Sequence, residues 1–274
     1  MRLLDYCFDT RMTTSVPIGM HHYCLRCVPS DSDVQRVVSW QLELQPQGHQ
    51  TWHRDGFGNL LMSGDCLETH STFRFVSRGR VEVDLSRRAP QTVHPAFRLS
   101  SPLTRPDGAL TEFSASLCLP DDPEQRAQAL SDAVSARMVY APGTTSVATT
   151  AAQAFAAGQG VCQDYAHILL TLCRMNGLAA RYCCGMPLGE GATHAWVEVA
   201  LPQGWVGFDP TRGKRADEGY IRLAVGRDYR DCPVQQGTFV GNADQTQLVH
   251  LTVRDAGPLQ QARPCAQTLI IPQF

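Results

Sequence analysis

Cys162 has the sequence surroundings of a reactive thiol. It follows the turn at residues 158–160 and begins an apolar run that ends at Asn176-Gly177, a combination typical of a helix C-terminus. We therefore expect Cys162 on the first turn of a helix of about four turns. The positive end of the helix dipole favours the thiolate there, although Asp164 on the same turn opposes this effect. Because the helix is apolar on most sides, we expect it to be largely buried.

Two predicted strands bring a histidine and an aspartate together. Residues 193–199 and 204–210 have strand-like sequences, and the link between them, at Leu201-Pro202, is short enough for a hairpin. The register that we expect places His194 directly opposite Asp209 on one face, within reach of a side-chain hydrogen bond. The chain then has a cysteine, a histidine and an aspartate in the order nucleophile, base and orienting acid. The three together predict a thiol acyl-transfer site.

Five segments of the chain together resemble the bacterial transglutaminase-like cysteine protease family. They are residues 160–167, 180–182, 193–199, 204–211 and 225–229. Each motif is weak alone, but several in order at workable spacing are specific. The resemblance implies that the catalytic residues are Cys162, His194 and Asp209. The chain departs from the family at Tyr220, where a histidine is usual, so we expect a difference in the wall of the cleft.

The two parts of the chain have different patterns of apolar residues. Residues 1–118 are predicted to be all β, with alternation such as that of residues 38–45, and residues 86–110 have the composition of a connector. A helix is predicted to begin near Asp122, an acidic residue followed by proline. Together with the resemblance, these patterns predict an α+β protein. An N-terminal β-sandwich domain at 1–118 precedes a papain-like transglutaminase-like catalytic domain at 119–274, in which the cysteine-bearing helix packs against an antiparallel sheet.

Composition and charge exclude several classes of partner. The net charge is −2 and the basic residues are scattered, so we expect no nucleic-acid partner. No apolar stretch approaches about 18 residues, and the polar start of the chain does not resemble a signal peptide, so we expect no membrane association. The eleven cysteines, without a secretory segment, favour reduced thiols in a cytoplasmic protein. We expect a peptide or protein substrate, and the sequence leaves the oligomeric state open.

One cluster of potential metal ligands has a structural explanation. His21, His22, Cys24 and Cys27 lie close together in the sequence. However, Cys24 and Cys27 are three apart in a predicted strand and therefore face opposite sides. The sequence has no second Cys-x-x-Cys motif or histidine pair that could complete a metal site, so we expect none.

Four further polar residues near the predicted nucleophile are expected to support the framework. His167 lies five residues after Cys162, roughly 140° around the helix. We expect it to pack, or to pair with Asp164 or a backbone carbonyl, rather than to take part in catalysis. Asp164, Tyr165 and Arg181 match the family pattern, and we expect them to be structural as well.

The predicted reaction is acyl transfer through a thioester, without a cofactor. His194 takes the thiol proton, Cys162 attacks an amide carbonyl, and the backbone N–H of Cys162 helps to hold the oxyanion. Gln153, Gln159 and Tyr140 are the candidates for a second oxyanion donor. Three classes stay open: a cysteine amidase or peptidase, which the resemblance favours, a transglutaminase with an amine acceptor, and a non-catalytic scaffold that binds through the cleft.

Overall fold

The computed structural model describes residues 1–256 and 269–272, and for the last four only the course of the backbone. In chain order the strands are β1 (Arg2–Leu25), β2 (Gln35–Gln45), β3 (His49–Arg54), β4 (Leu60–Cys66), β5 (His70–Val83), β6 (Val139–Tyr140), β7 (Gln159–Gly160), β8 (Ala180–Pro187), β9 (Gly189–Gly191), β10 (His194–Leu201), β11 (Gly204–Asp209), β12 (Lys214–Arg215), β13 (Tyr220–Gly226), β14 (Gln235–Val240), β15 (Gln245–Asp255) and β16 (Leu269–Pro272). The α-helices are α1 (Gly108–Ser116), α2 (Pro123–Arg137), α3 (Ala151–Ala157) and α4 (Cys162–Met175). Short 3-10 helices lie at Leu85–Arg87, Pro95–Arg98, Pro102–Thr104 and Tyr229–Asp231.

The N-terminal region is built around a single long strand. β1 pairs antiparallel with β5 and β15 along its first half and with β4 and β14 along its second half. Apolar side chains such as Leu4, Tyr6 and Phe8 alternate along it, so that one face is buried. Tyr23 in the second half packs against Phe73 of β5, with ring centroids 4.6 Å apart. Both halves therefore enclose the same apolar core, and the predicted β-rich N-terminal region is confirmed.

One helix in this part of the chain was not predicted. α1 lies within residues 1–118, so the expectation of an all-β segment is wrong there. The Asp107 side chain caps the helix by accepting a hydrogen bond from the backbone N–H of Leu110 at 2.9 Å. Leu110 is buried, and Phe113 packs on Phe155 of α3 with ring centroids 5.0 Å apart. Packing of this apolar face therefore outweighs the loop-like composition of the segment.

The C-terminal strands return to the N-terminal sheet. β15 pairs with β1 from Leu4 to Thr14, β14 pairs with the second half of β1, and β16 extends the sheet beyond β15. The division into residues 1–118 and 119–274 stays a prediction. The strand pairing shows, however, that the last strands of residues 119–274 complete the sheet formed by residues 1–118. A division of the chain at a single point does not describe this exchange.

A second, five-stranded antiparallel sheet supports the helix that begins at Cys162. Its strand order is β12-β11-β10-β8-β13. α4 packs on β10 and β8 of this sheet, and every residue from Gln163 to Arg174 is buried. The side chains of Leu169 and Leu172 lie in the apolar core that α4 shares with α2 and α3. The predicted buried helix on an antiparallel sheet is therefore confirmed.

The hairpin of β10 and β11 has a register two residues away from the predicted one. Val197 lies opposite Phe208, so the next pair along the hairpin sets Trp196, rather than His194, opposite Asp209. A displacement of two residues keeps every side chain on its face of the sheet, because side chains alternate with a period of two. His194 and Asp209 therefore still share a face, as diagonal rather than direct neighbours.

The turn of this hairpin explains the displaced register. β10 extends to Leu201 and β11 begins at Gly204, which leaves Pro202 and Gln203 as the turn. Gly204 has a φ of +115°, a conformation that residues with a side chain rarely adopt. The chain therefore reverses one residue later than the predicted turn at Leu201-Pro202.

Candidate active site

α4 presents Cys162 as its first residue. Gly158, with a φ of +68°, ends α3, and the two residues of β7 lead from it towards the new helix. The Asp164 carboxylate accepts hydrogen bonds from the backbone N–H of Val161 at 2.8 Å and from the Thr145 hydroxyl at 2.7 Å. The Cys162 thiol is therefore attached to a well-fixed helix N-terminus, where it remains partly exposed.

Close packing before the cysteine requires a glycine at residue 160. A Cβ atom at Gly160 would overlap the Asp164 carboxylate. Asp164 is itself buried, and burial raises the pKa of its carboxyl above the ordinary value although the bonds from Thr145 and Val161 act in the opposite direction. Asp164 thus holds the turn before Cys162, which is the framework role expected from the sequence.

The His194 imidazole lies between the thiol and a carboxylate. Its Nε2 atom is 2.7 Å from Oδ2 of Asp209, and Cys162 lies close enough to the ring to help raise its pKa. Because Asp209 occupies Nε2, the nitrogen available to the sulfur is Nδ1. The His194 side chain is 10% exposed and that of Asp209 is 0% exposed, so solvent ions screen this pair weakly. The structure thus brings the three predicted site residues together.

The two partners of His194 change its protonation. Burial lowers the pKa of the imidazole, but the hydrogen bonds and charges of Asp209 and Cys162 outweigh this and raise it to about 9. The ring is therefore mainly protonated at neutral pH. An imidazolium beside a thiol favours the thiolate, which is the nucleophilic form of cysteine.

Asp209 is a buried carboxylate with several donors. Burial raises its pKa, whereas the hydrogen bond and charge of His194 and the hydroxyl of Tyr220 lower it, and the balance lies below the ordinary value. Its Oδ1 atom accepts the backbone N–H groups of Thr211 and Arg212 at 3.1 and 3.2 Å. The carboxylate is therefore held ionised and in one orientation.

Tyr220 contacts this group directly, which reasoning from the sequence did not predict. Its hydroxyl donates to Oδ2 of Asp209 at 2.7 Å, and the same oxygen binds His194. The one signal in the sequence was the departure from the family pattern at this position. The structure thus places Tyr220 among the partners of Asp209, while the expected difference in the cleft wall stays a prediction.

Of the three candidates for a second oxyanion donor, Tyr140 lies within electrostatic range of the thiol. Burial and the charge of Cys162 raise its pKa. Gln153 instead uses Oε1 to accept the backbone N–H of Thr150 at 2.9 Å, in the cap of α3, and Gln159 is exposed in β7. The identity of the second donor stays a prediction.

His167 is packed in the core and not in the site. It is fully buried, and its Nε2 atom accepts the backbone N–H of Tyr229 at 3.2 Å. Its ring centroid lies 5.4 Å from that of Tyr182. Burial lowers the pKa of His167 to about 3, so the ring stays neutral at physiological pH. The expected packing role is observed, with a backbone N–H as partner instead of Asp164 or a carbonyl.

Arg181 belongs to a buried network that connects four strands of the second sheet. Its Nε atom donates to Glu198 at 2.8 Å, and its guanidinium lies 4.0 Å from the ring centroid of Trp205. Arg222 donates to the same carboxylate at 3.0 Å. These contacts, and the burial of Tyr165 in α4, agree with the framework roles expected for both residues.

The cluster that begins at His21 has structural contacts. His21 is buried among aromatic rings, and its Nδ1 atom lies 3.2 Å from Nε2 of His70. Cys27 is buried, whereas Cys24 is partly exposed. Across the part of the chain that the structure describes, no group of three or more His, Cys, Asp or Glu side chains is arranged to hold a metal ion. Within the same described ranges, the helices are all too short or too polar to cross a membrane.

Comparison with known proteins gives relatives of similar length and a shared fold. An uncharacterized protein of Mycobacterium tuberculosis is 29% identical, over 80% of this chain and 81% of its own. An uncharacterized protein of Mycobacterium leprae is 26% identical, over 79% of this chain and 85% of its own. The crystal structure of a proposed cysteine protease from Cytophaga hutchinsonii superposes with a TM-score of 0.78 at 20% identity, and covers 96% of this chain and 94% of that chain. The last likeness confirms the predicted fold.

Two family descriptions match the sequence in the order of the fold. Residues 4–82 match the bacterial transglutaminase-like N-terminal region. Residues 113–210, which contain Cys162, His194 and Asp209, match the transglutaminase-like superfamily. The two matches together cover well over half of the chain and confirm the resemblance seen in its motifs. The chain therefore belongs to the transglutaminase-like superfamily and carries the bacterial N-terminal region.

Proposed function

We propose that the protein is a thiol enzyme that transfers acyl groups from amide or peptide bonds through a thioester, with water as the acceptor. The observation that carries this proposal is the position of His194, which is hydrogen-bonded to Asp209 and lies close enough to Cys162 for both to raise its pKa. A protonated imidazole beside a partly exposed thiol supports a nucleophilic role for Cys162.

The buried cysteines have a different environment from that of Cys162, and this difference supports the assignment of Cys162 as the nucleophile. Burial raises the pKa of Cys173 and of Cys184 to about 12, and it raises those of Cys183 and Cys232 well above the ordinary value. These thiols therefore stay protonated and unreactive at neutral pH. Cys162 differs from them in being partly exposed and close to a cationic ring.

In the first half-reaction, Cys162 acts as nucleophile and His194 as proton donor. The thiolate forms a bond with the carbonyl carbon while the carbonyl π electrons move to oxygen. The backbone N–H of Cys162 helps to hold this oxyanion, because N–H groups in the first helical turn have no partner within the helix. Nδ1 of His194 then gives its proton to the leaving nitrogen, the C–N bond breaks, and a thioester remains.

In the second half-reaction, water takes the place of the amine that has left. Nδ1 of His194 removes a proton from water, and the resulting hydroxide attacks the thioester carbon. The C–S bond breaks, the acid is released, and the thiolate and the imidazolium are restored. Asp209 keeps Nε2 protonated throughout, so Nδ1 is the nitrogen that gains and loses the proton.

The acceptor separates hydrolysis from transamidation. A primary amine that attacks the same thioester gives a cross-linked product, and both reactions use the same three side chains. Product mass in the presence of an added amine distinguishes them, because only transamidation incorporates the amine. A peptide or protein substrate is part of this proposal, whereas the cytoplasmic location stays a prediction.

A diverse peptide library tests the proposal. We expect the wild-type protein to produce cleaved or deamidated peptides, detected by mass, and we expect Cys162→Ala and His194→Ala to produce none. Cys118→Ala is the matched control, because it removes an exposed thiol; it should leave the products unchanged. Products formed by Cys162→Ala at the wild-type rate would contradict the proposal.

A further inference from the structure

Oδ2 of Asp209 receives two hydrogen bonds of equal length. Nε2 of His194 and the hydroxyl of Tyr220 each lie 2.7 Å from it. The carboxylate is fully buried. A buried oxygen with two partners is fixed in position more strictly than an oxygen with one, because each hydrogen bond restricts the other.

The Tyr220 hydroxyl is the donor in this contact. A carboxylate only accepts, and burial together with the charge of Asp209 raises the pKa of Tyr220 far above the physiological range. Tyr220 therefore keeps its proton under ordinary assay conditions, and the support that it gives to Asp209 does not depend on pH there.

Neighbouring side chains fix the Tyr220 ring. It lies buried at the start of β13, and it meets Trp196 edge-on with ring centroids 5.3 Å apart. The Lys214 ammonium lies 5.2 Å from the ring centroid and is itself held by Asp217 at 3.0 Å. These contacts therefore restrain the ring from which the hydroxyl reaches Asp209.

A cation also faces this carboxylate from the chain after β11. Nε of Arg212 lies 3.9 Å from Oδ2 of Asp209 and also approaches the Tyr220 hydroxyl. Its side chain is exposed, so solvent weakens its interaction with the carboxylate. From α4, Cys162 interacts with Asp209 through His194. Tyr220 and His194 are thus two buried side chains that bind Oδ2 directly.

We propose that Tyr220 is a positioning residue of the site: its hydroxyl fixes Oδ2 of Asp209, and Asp209 in turn holds the His194 ring towards Cys162. This inference rests on the proposed function, because the orientation of the ring matters only where Cys162 acts as a nucleophile. Tyr220 acts through Asp209 and not on the sulfur.

A tyrosine instead of a histidine at residue 220 also leaves the site with one group fewer that changes its charge near neutral pH. A histidine at this position would change its charge between about pH 5 and 8. Tyr220 donates to Asp209 across that whole range. We therefore expect the pH profile of this protein to lack a step that a histidine at this position would add.

The test measures the rate at which iodoacetamide alkylates Cys162 as a function of pH. Peptide mapping gives this rate without any substrate. Tyr220→Phe removes the hydroxyl and keeps the ring against Trp196. We expect its plateau rate to fall about three- to tenfold and its acid limb to move to higher pH, because Asp209 with one donor fewer protonates at higher pH. Tyr220→His should regain most of the plateau rate and add a titration step between about pH 5 and 8.

Tyr6→Phe is the matched control. Tyr6 is buried in the N-terminal sheet, and its hydroxyl lies 3.2 Å from Oγ of Ser77. This variant should lower Tm to a similar extent without moving the pH profile of Cys162. A Tyr220→Phe profile that superimposes on that of the control would overturn the positioning role.

Two further outcomes decide the inference. If Tyr220→Phe does not fold, Tyr220→His decides alone, and a profile without the added step overturns the inference. If wild-type Cys162 reacts no faster than the exposed Cys118, the proposed function fails and this inference fails with it. That second result is distinguishable, because it is seen in the wild-type protein before any change at Tyr220.

Discussion

Replacement of Asp209 by asparagine tests the carboxylate with the smallest change of shape. Asp209→Asn removes the charge, and the NH2 group of the new side chain can donate to Nε2 of His194, which selects the wrong tautomer of the ring. The backbone N–H groups of Thr211 and Arg212 bind Oδ1, and an asparagine Oδ1 accepts both. We therefore expect the variant to fold and to lose activity.

The size of the expected loss of kcat in Asp209→Asn follows from the protonation of His194. Its pKa of about 9 lies well above the ordinary 6.5, and a difference of this size corresponds to roughly 3 kcal/mol in favour of the imidazolium. The hydrogen bond that His194 donates to Asp209 is the largest of the contributions that raise this pKa. We expect kcat to fall by a factor on the order of 10² to 10³. This is less than the loss of about 10⁴ in a serine triad, because a thiol is more acidic than a hydroxyl.

The pH profile gives a second readout of the same variant. Turnover needs the imidazolium to protonate the leaving nitrogen, so wild-type activity declines as the pH rises through about 9. Asp209→Asn lowers the pKa of His194, and the basic limb should move to lower pH. The assay is kcat against pH on a peptide identified from the library. Asp9→Asn, which breaks a carboxylate pair with Arg74 in the N-terminal sheet, is the control. Turnover of Asp209→Asn within a few-fold of wild type, with an unchanged profile, would refute the reasoning.

Three other predictions address the thiol, the turn before it and the stability of the pair. At about pH 6, iodoacetamide should label Cys162 faster than the other cysteines, because the imidazolium favours its thiolate; equal labelling of Cys118, or no effect of His194→Ala, would count against the nucleophile. Gly160→Ala should lower the free energy of unfolding by about 1–3 kcal/mol, because its Cβ overlaps the Asp164 carboxylate; an unchanged Tm would contradict this. Because the folded state raises the pKa of His194, its stabilising contribution is fully present below about pH 6.5 and is lost as the pH rises through about 9. The difference in unfolding free energy between wild type and His194→Ala should therefore shrink over that range, and a constant difference would disprove the linkage.

Local signals were sufficient to predict the elements that carry the site. The turn before Cys162 and the Asn176-Gly177 ending define α4 almost to the residue, because caps and glycine conformations are local properties. Because side chains alternate along a strand, His194 and Asp209 share a face in any register that is displaced by an even number of residues. Their hydrogen bond was therefore predictable although their direct pairing was not.

The features that were missed depend on contacts between distant parts of the chain. At the end of the β10–β11 turn, the backbone of Ala89 lies so close to Gly204 that a Cβ there would overlap it, a contact that the sequence neighbours of Gly204 do not reveal. α1 forms because Leu110 and Phe113 find partners on other helices. The hydroxyl of Tyr220 reaches Asp209 from a strand that is not adjacent in the sheet. Tertiary packing determines each of these, and no local pattern encodes it.

A double-mutant cycle on the alkylation of Cys162 tests most directly whether His194 and Asp209 act on the thiol as one unit. The rate constant for iodoacetamide at about pH 6 is measured for the wild type, for His194→Ala, for Asp209→Asn and for the double variant. Because Asp209 acts on the sulfur only through the imidazole, we predict that the double variant reacts at the same rate as His194→Ala. Losses that multiply in the double variant would contradict the proposed site.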